Sequence, residues 1–317
     1  MRIVMFFLAI LIFSVHAVFS QDIADNVKTW KAQILLDTRS TLGDGALWDY
    51  KHKRLLWIDI EKSLLHIYSP KSGKNETFGL ESKPGTVVPE ASGDLILALQ
   101  DGIYRFNPET TEKKLLVENP ENKTTGNRFN DGKVGPDGRL WVGTTGRTGT
   151  AALYNYADNT PRMKKKLQNI TTSNGIVWSS DKKKMYYVDT PTREIKVFDF
   201  DVKTGDIQFQ KVAITIPVEL GSPDGMTIDS EGMLWVAHWG GYTVGRWNPE
   251  NGKLLGLVEV PSSNVSSCAF GGDKLDVLYI TTAASGARED QLQKFPHSGS
   301  VFYVRPGVKG VQTYYFK

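Results

Sequence analysis

The 317-residue chain has a single cysteine, Cys268, so it can form no internal disulfide. A disulfide-stapled scaffold is thereby excluded, and Cys268, within "SSCAFGG", reads as a buried small hydrophobe. Histidine is also scarce: the five present show no H-E-x-x-H spacing, and no G-x-S-x-G elbow occurs, which removes the common zinc-protease and serine-hydrolase routes. His238, beside Trp239, reads as a packed strand-end residue. "GDGALW" begins like a dinucleotide fingerprint, but Trp48 stands where the third glycine belongs and no helix follows. Excess charge is lacking too, at +3 overall, and the only strong basic runs are Lys164 to Lys166 and Lys182 to Lys184. Each lies between apolar segments and reads as a solvated hairpin tip, which argues against a nucleic-acid partner. No segment after the first twenty residues is apolar enough to span a bilayer, and none carries a sustained helical stripe.

What is present begins with "MRIVMFFLAILIFSVHAVFSQ": basic Arg2, an apolar run, then small residues at Ala17 and Ser20. This reads as a cleaved secretory signal over residues 1–20, leaving a mature chain of 21–317 that is secreted. Sequons at Asn75, Asn122, Asn169 and Asn264 agree with passage through a glycosylating compartment. The remainder is 40% hydrophobic and 11% aromatic, ample for a sizeable core.

Short apolar and β-branched runs recur: "RLLWIDI", "DLILAL", "RLWVGT", "KMYYVDT", "MLWVAHW" and "VLYITT". They are spaced by roughly 40 to 50 residues, the period of propeller blades. Each follows a turn signal and precedes a second strand such as "EIKVFDFD". Six copies predict an all-β, six-bladed β-propeller in a single domain, with "TWKAQILLD" supplying a closing strand to the last blade.

Ahead of four of the turn signals stands an oxygen-bearing residue followed by glycine: Asp44-Gly45, Asp131-Gly132, Asn174-Gly175 and Asp224-Gly225. Blade two has Pro84-Gly85 and blade six Ser267-Cys268 in that place. Any one such pair reads as a hairpin turn. Repeated at the mouth of the channel-lining strand, they form a ring about one axis. Asp44, Asn174 and Asp224 then offer two carboxylates and an amide oxygen, hard donors suited to Ca²⁺, Mg²⁺ or Mn²⁺. In "TGNRFNDGKVGPDGRLWVG" Asp131 fills the turn position, leaving Arg128 and Asn130 to face the pocket, one as a fork for polar or anionic oxygen and the other as a hydrogen bonder to hydroxyls.

With "RFNDGKVGPDGRLWVGT", "SNGIVWSSDKKKMYYVDT", "PDGMTIDSEGMLWVA" and the terminal "GVKG", the chain resembles the regucalcin (senescence marker protein) and gluconolactonase family, which includes the luciferin-regenerating enzymes, over about residues 40 to 312. The resemblance implies a six-bladed propeller with one axial divalent cation that hydrolyses sugar lactones. It places the metal-binding asparagine on Asn174, the metal-binding and proton-transferring aspartate on Asp224, and the substrate-contacting pair on Arg128 and Asn130. Calcium is the foremost cation, with zinc, manganese and magnesium as alternatives. The expected partner is a small-molecule lactone, with no nucleic acid, no membrane after signal cleavage, and a monomeric chain. Three departures stand out: Asp44 in place of the family's first metal-binding glutamate, Thr148 near the place of a lid glutamate, and the export signal. They leave two rival readings, a secreted non-catalytic propeller that binds calcium or a small ligand, and a hydrolase of a non-sugar compound.

Overall fold

A computed structural model describes residues 27–158 and 160–317, so the expected signal at 1–20 lies outside the described residues. Four antiparallel sheets of four strands each are built from consecutive chain, spanning 43–79, 84–118, 128–170 and 173–215. The fifth sheet has nine strands, because the strands of 222–259 and those of 264–304 are joined through the single pair Trp239 and Asn264. Hydrogen bonding therefore gives five sheets where six separate ones were expected. The architecture is an all-β, propeller-like array.

The order follows from burial. The innermost strands, Gly43–Asp49, Pro84–Pro89, Arg128–Val134, Ser173–Trp178, Ser222–Ile228 and Asn264–Gly271, are almost wholly buried. Each touches the next, and the last touches the first, so six strands close a ring around one axis. Outermost strands such as Lys74–Gly79 are mostly exposed, with only Asn75 and Phe78 partly buried. Large side chains fill the space between sheets: Trp57, Trp141 and Trp235 are fully buried. The Trp235 indole N–H is satisfied by Asp229 Oδ2 at 2.9 Å, and that carboxylate also takes Arg246 Nε at 2.8 Å.

Both chain ends seal the array. Gln33–Leu36 pairs antiparallel with Val301–Val304, as the "TWKAQILLD" segment led us to expect, and Lys28–Lys31 adds a parallel strand to Leu254–Glu259. At the other end the tail crosses the hairpin turns opposite the site. Gly310 N–H bonds Leu275 O, Tyr315 OH reaches Asp49, and Phe316 N–H bonds Pro89 O.

Two local readings are corrected. Lys164 to Lys166 is no hairpin tip but the start of the outermost strand Lys164–Ile170, where Lys166 Nζ bonds Asp206 at 2.9 Å. The Asn264 sequon is buried, its Nδ2 donating to Ser285 O at 2.8 Å, whereas Asn169 is exposed. Cys268 is buried, with burial pushing its thiol up to about 12. His238 is a packed residue: Trp247 Nε1–H donates to its Nε2, and its Nδ1 lies 2.9 Å from Thr243 Oγ1.

His66 stacks on Trp57 with ring centroids 4.8 Å apart, and burial lowers its pKa from 6.5 to about 4. A depressed folded pKa contributes stability that is complete above pH 6.5 and is lost as pH falls toward 4. Relative to wild type, His66→Phe should therefore gain about 1.4 kcal/mol for each pH unit of acidification across that window. Denaturant melts of the two proteins at pH 7, 6 and 5 check this; a constant difference refutes it.

Candidate functional site

Each innermost strand carries a register shift against its neighbour near its first residues. The Asp-Gly and Asn-Gly pairs lie in or beside these shifts, so they are not the hairpin turns that any single pair suggests. They belong to β-bulges inside strands, which turn a side chain that would follow the pleat toward the axis. Gly45 adopts φ +65°, a left-handed conformation that glycine accepts without strain. Gly175 is required for closeness: a Cβ there would stand 2.7 Å from Asp224 O on the adjacent strand.

A directional hydrogen-bond chain links three successive inner strands. Arg128 Nη1 donates to Asn130 Oδ1 at 2.9 Å, and Asn130 Nδ2 donates to Asn174 Oδ1 at 3.0 Å. Asn174 Nδ2 donates to Thr190 Oγ1 at 2.7 Å, and Thr190 donates to Pro223 O at 2.9 Å. Because guanidinium only donates and a carbonyl only accepts, both amides are oriented without ambiguity. Asn130 Nδ2 also bonds Ser173 O at 2.9 Å, so both of its hydrogens are engaged within the protein.

The loops leading into these strands are anchored by charge. Asp59 accepts the N–H groups of Thr41 and Leu42 at 2.8 and 3.1 Å, just ahead of Asp44. Asp189 does the same for Thr171 and Thr172, ahead of Asn174. Buried Glu121 takes Asn127 Nδ2, Thr144 Oγ1 and Tyr154 OH, fixing the approach to Arg128. Before Asp224 the polarity is reversed, and Arg193 binds the carbonyls of Ile216, Pro217 and Gly221.

A cavity of about 200 Å³ receives Asp44, Asn130, Asn174 and Asp224 together. Arg128 donates to Asn130 and is not among the residues that line the cavity. Thr148 is exposed on the connection after Leu140–Thr145, also outside that wall. Burial, and then the charge of Asp131, push the Asp44 carboxyl up to about 7, with Arg128 opposing. Burial, followed by Asp44 and Asp131, holds Asp224 well above the usual carboxylate range. Asp131 is raised by its own burial and opposed by Lys133, whose ammonium reaches Met226 O at 2.8 Å. Asp131, read as a turn-former, thus belongs to the electrostatics of the site. Its shared repeat position with Asp44 and Asp224 was the available signal. Thr190 and Thr172 gave none, being ordinary strand-end threonines.

Among the described residues no group of three or more His, Cys, Asp or Glu is placed to hold a metal. The converging donors are two carboxylates and an amide oxygen. They nonetheless fit a hard divalent cation: two buried, mutually repelling carboxylates beside an oriented amide carbonyl match the ligand preference of calcium or magnesium.

A family model described as the SMP-30/Gluconolactonase/LRE-like region matches residues 42–284. The YvrE protein of Bacillus subtilis, which carries a provisional sugar lactone lactonase name, is 38% identical over 87% of this chain and 95% of its own. Regucalcin of Xenopus laevis is 32% identical over 89% and 96%. Among solved structures, a calcium-binding regucalcin from Agrobacterium tumefaciens superposes with a TM-score of 0.86 at 28% identity, covering 92% of this chain and 99% of that one. A luciferin-regenerating enzyme gives 0.83 at 31% identity, covering 90% and 99%.

The closeness of the inner strands predicts the outcome of Gly175→Ala. The added methyl must push Asp224 O or Met226 aside, costing about 1–3 kcal/mol. A lowered denaturant midpoint at constant m-value checks it; an unchanged midpoint shows that the ring has slack.

Proposed function

The chain belongs to the SMP-30/gluconolactonase/LRE-like family, and from that premise we propose that it is a divalent-cation-dependent, gluconolactonase-like hydrolase that opens a small lactone with water. The meeting of Asp44, Asn174, Asp224 and Asn130 in one small axial cavity carries this reading. We count six blades, taking the nine-stranded sheet as two joined at Trp239 and Asn264. The mature chain, 21–317, is on this reading one secreted, monomeric domain freed of its signal.

Asp44, Asn174 and Asp224 would hold the cation, calcium before zinc, manganese or magnesium; the calcium-binding description of the Agrobacterium relative supports that order. When bound, such an ion supplies Lewis-acid stabilisation of the negative charge that develops on a lactone carbonyl oxygen. Asp224 accepts the proton that the attacking water releases, its burial favouring the protonated product of that transfer. Asn130, fixed by Arg128, presents to the substrate's oxygens the share of its carbonyl that Arg128 leaves open, and Arg128 confers positive potential at longer range. The ester C–O bond then breaks, and the ring oxygen leaves as the hydroxyl of the hydroxy acid, taking back the proton that Asp224 accepted.

A non-catalytic binding propeller is the second reading. It is favoured by the engagement of both Asn130 amide hydrogens within the protein and by Asp44 being one methylene shorter than the family's glutamate.

Asp224→Ala should lower kcat/KM on a panel of lactones by roughly 10²- to 10⁴-fold. Full turnover at unchanged metal content would remove Asp224 from the chemistry, and absence of turnover in wild type with any of the four cations would favour the binder. Thr190→Val removes the acceptor of Asn174 Nδ2, leaving only Asn130 to orient that amide, and should weaken calcium binding by about 10- to 100-fold in titration calorimetry. Equal affinity would show that Asn174 needs no such orientation.

A further inference from the structure

The cavity is walled by two repeat-equivalent pairs of residues with opposite chemistry. Gly43 pairs with Asp59, and Ser173 with Asp189 at the same register. In one sheet Ile60 N–H then bonds Leu42 O at 2.9 Å; in the other Thr190 N–H bonds Thr172 O at 3.0 Å. Leu42 thus stands where Thr172 stands, and Ile60 where Thr190 does, and all four line the cavity. Their strands are the first and fourth of the closed ring, so the pairs face each other across the axis. One wall is aliphatic and the other hydroxylated.

A third position deepens the asymmetry. Pro223 pairs with His238 at the register that Asp59 and Asp189 occupy in the other two sheets, and Ser222 pairs with Trp239 one step further, so Trp239 stands where Ile60 and Thr190 do. Arg193 holds the loop before Asp224 from elsewhere, so His238 has no loop to anchor, and Trp239 lines the cavity as Ile60 and Thr190 do. The cavity, about 200 Å³, is also below the roughly 300–1,000 Å³ of drug-sized pockets, so it admits one small ring.

We propose that this site selects small monocyclic lactones bearing alkyl substituents on one edge over polyhydroxylated sugar lactones, with Leu42, Ile60 and Trp239 as the specificity-determining residues. The proposal rests on the lactone reading of the same site. A sugar lactone carries hydroxyls around its whole ring, and those turned toward Leu42 and Ile60 lose water without gaining a partner. Each such hydroxyl lowers affinity roughly tenfold or more, whereas a methyl group there is favoured. The Thr172 side carries the polar groups toward which the ester oxygens turn.

The test compares kcat/KM for δ-hexalactone and glucono-δ-lactone, with calcium, using the full chain. Wild type should prefer δ-hexalactone by tenfold or more. Leu42→Thr, a partly exposed position that tolerates the change, should lower that ratio about tenfold, and Thr172→Leu should raise it. A wild-type ratio at or below one, or a ratio that neither variant moves, overturns the proposal. If neither lactone is turned over, the hydrolase reading fails and binding decides the specificity. Calorimetry with the unreactive 6-methylpiperidin-2-one and gluconolactam should then favour the former tenfold; equal, reversed or absent binding overturns the proposal.

Discussion

The site depends on one constraint, the one-way hydrogen-bond chain from Arg128 through Asn130, Asn174 and Thr190 to Pro223 O. An amide side chain is nearly symmetric in shape, and only its neighbours decide which end is oxygen. A donor-only group at the head of this chain and an acceptor-only group at its foot remove the choice at each link. The chain also crosses three inner strands, so it fixes the spacing of Asn130, Asn174 and the backbone beside Asp224 at the same time. Orientation and position are thereby set by the same bonds.

Such a chain needs strands that approach closely and side chains that point inward where the pleat would turn them outward. The bulges supply the second requirement, and glycines that leave no room for a Cβ supply the first. The loop anchors complete the frame. Asp59, Asp189 and Glu121 satisfy backbone N–H groups or buried polar side chains that would otherwise be costly, and Asp59 also has Lys62 Nζ at 3.9 Å. Arg193 performs the matching service for carbonyls. These acidic residues are therefore structural, and their places, Asp59 and Asp189 at the ends of second strands and Glu121 in the connection before Arg128, distinguish them from Asp44 and Asp224.

Much of this was legible in the sequence because a repeat turns linear spacing into angular spacing. The recurrence of "RLLWIDI" and its counterparts gave the sheets, and the shared place of Asp44, Asn174 and Asp224 gave their convergence on one cavity. Less legible was anything decided by contact between copies. The Asp-Gly pairs carry the same signature whether they turn a hairpin or bulge a strand, since both exploit glycine's lack of a side chain. The merging of two sheets hangs on one bridging pair, Trp239 and Asn264, which no pattern announces. Thr190 is invisible for a different reason: its hydroxyl matters only because Asn174 and Pro223 O lie on either side of it.

The distribution of charge along the axis follows from the same repeat. Asp44, Asp131 and Asp224 occupy equivalent places on alternate strands of the ring, so three buried carboxylates act on one another about one axis. Lys133 and Arg128 oppose them, leaving one net negative charge when all five groups are ionised. Burial in low dielectric makes that residue of charge expensive, and a channel built this way favours a bound cation. On the proposed reading a dication changes the balance from minus one to plus one. The proton released by the attacking water stays on Asp224, so the total charge is unchanged while negative charge grows on the carbonyl oxygen beside a more positive channel. Lys133 would favour the growing negative charge and Asp131 the protonation of Asp224, neither touching the substrate, which is the form of electrostatic preorganisation that lowers a barrier.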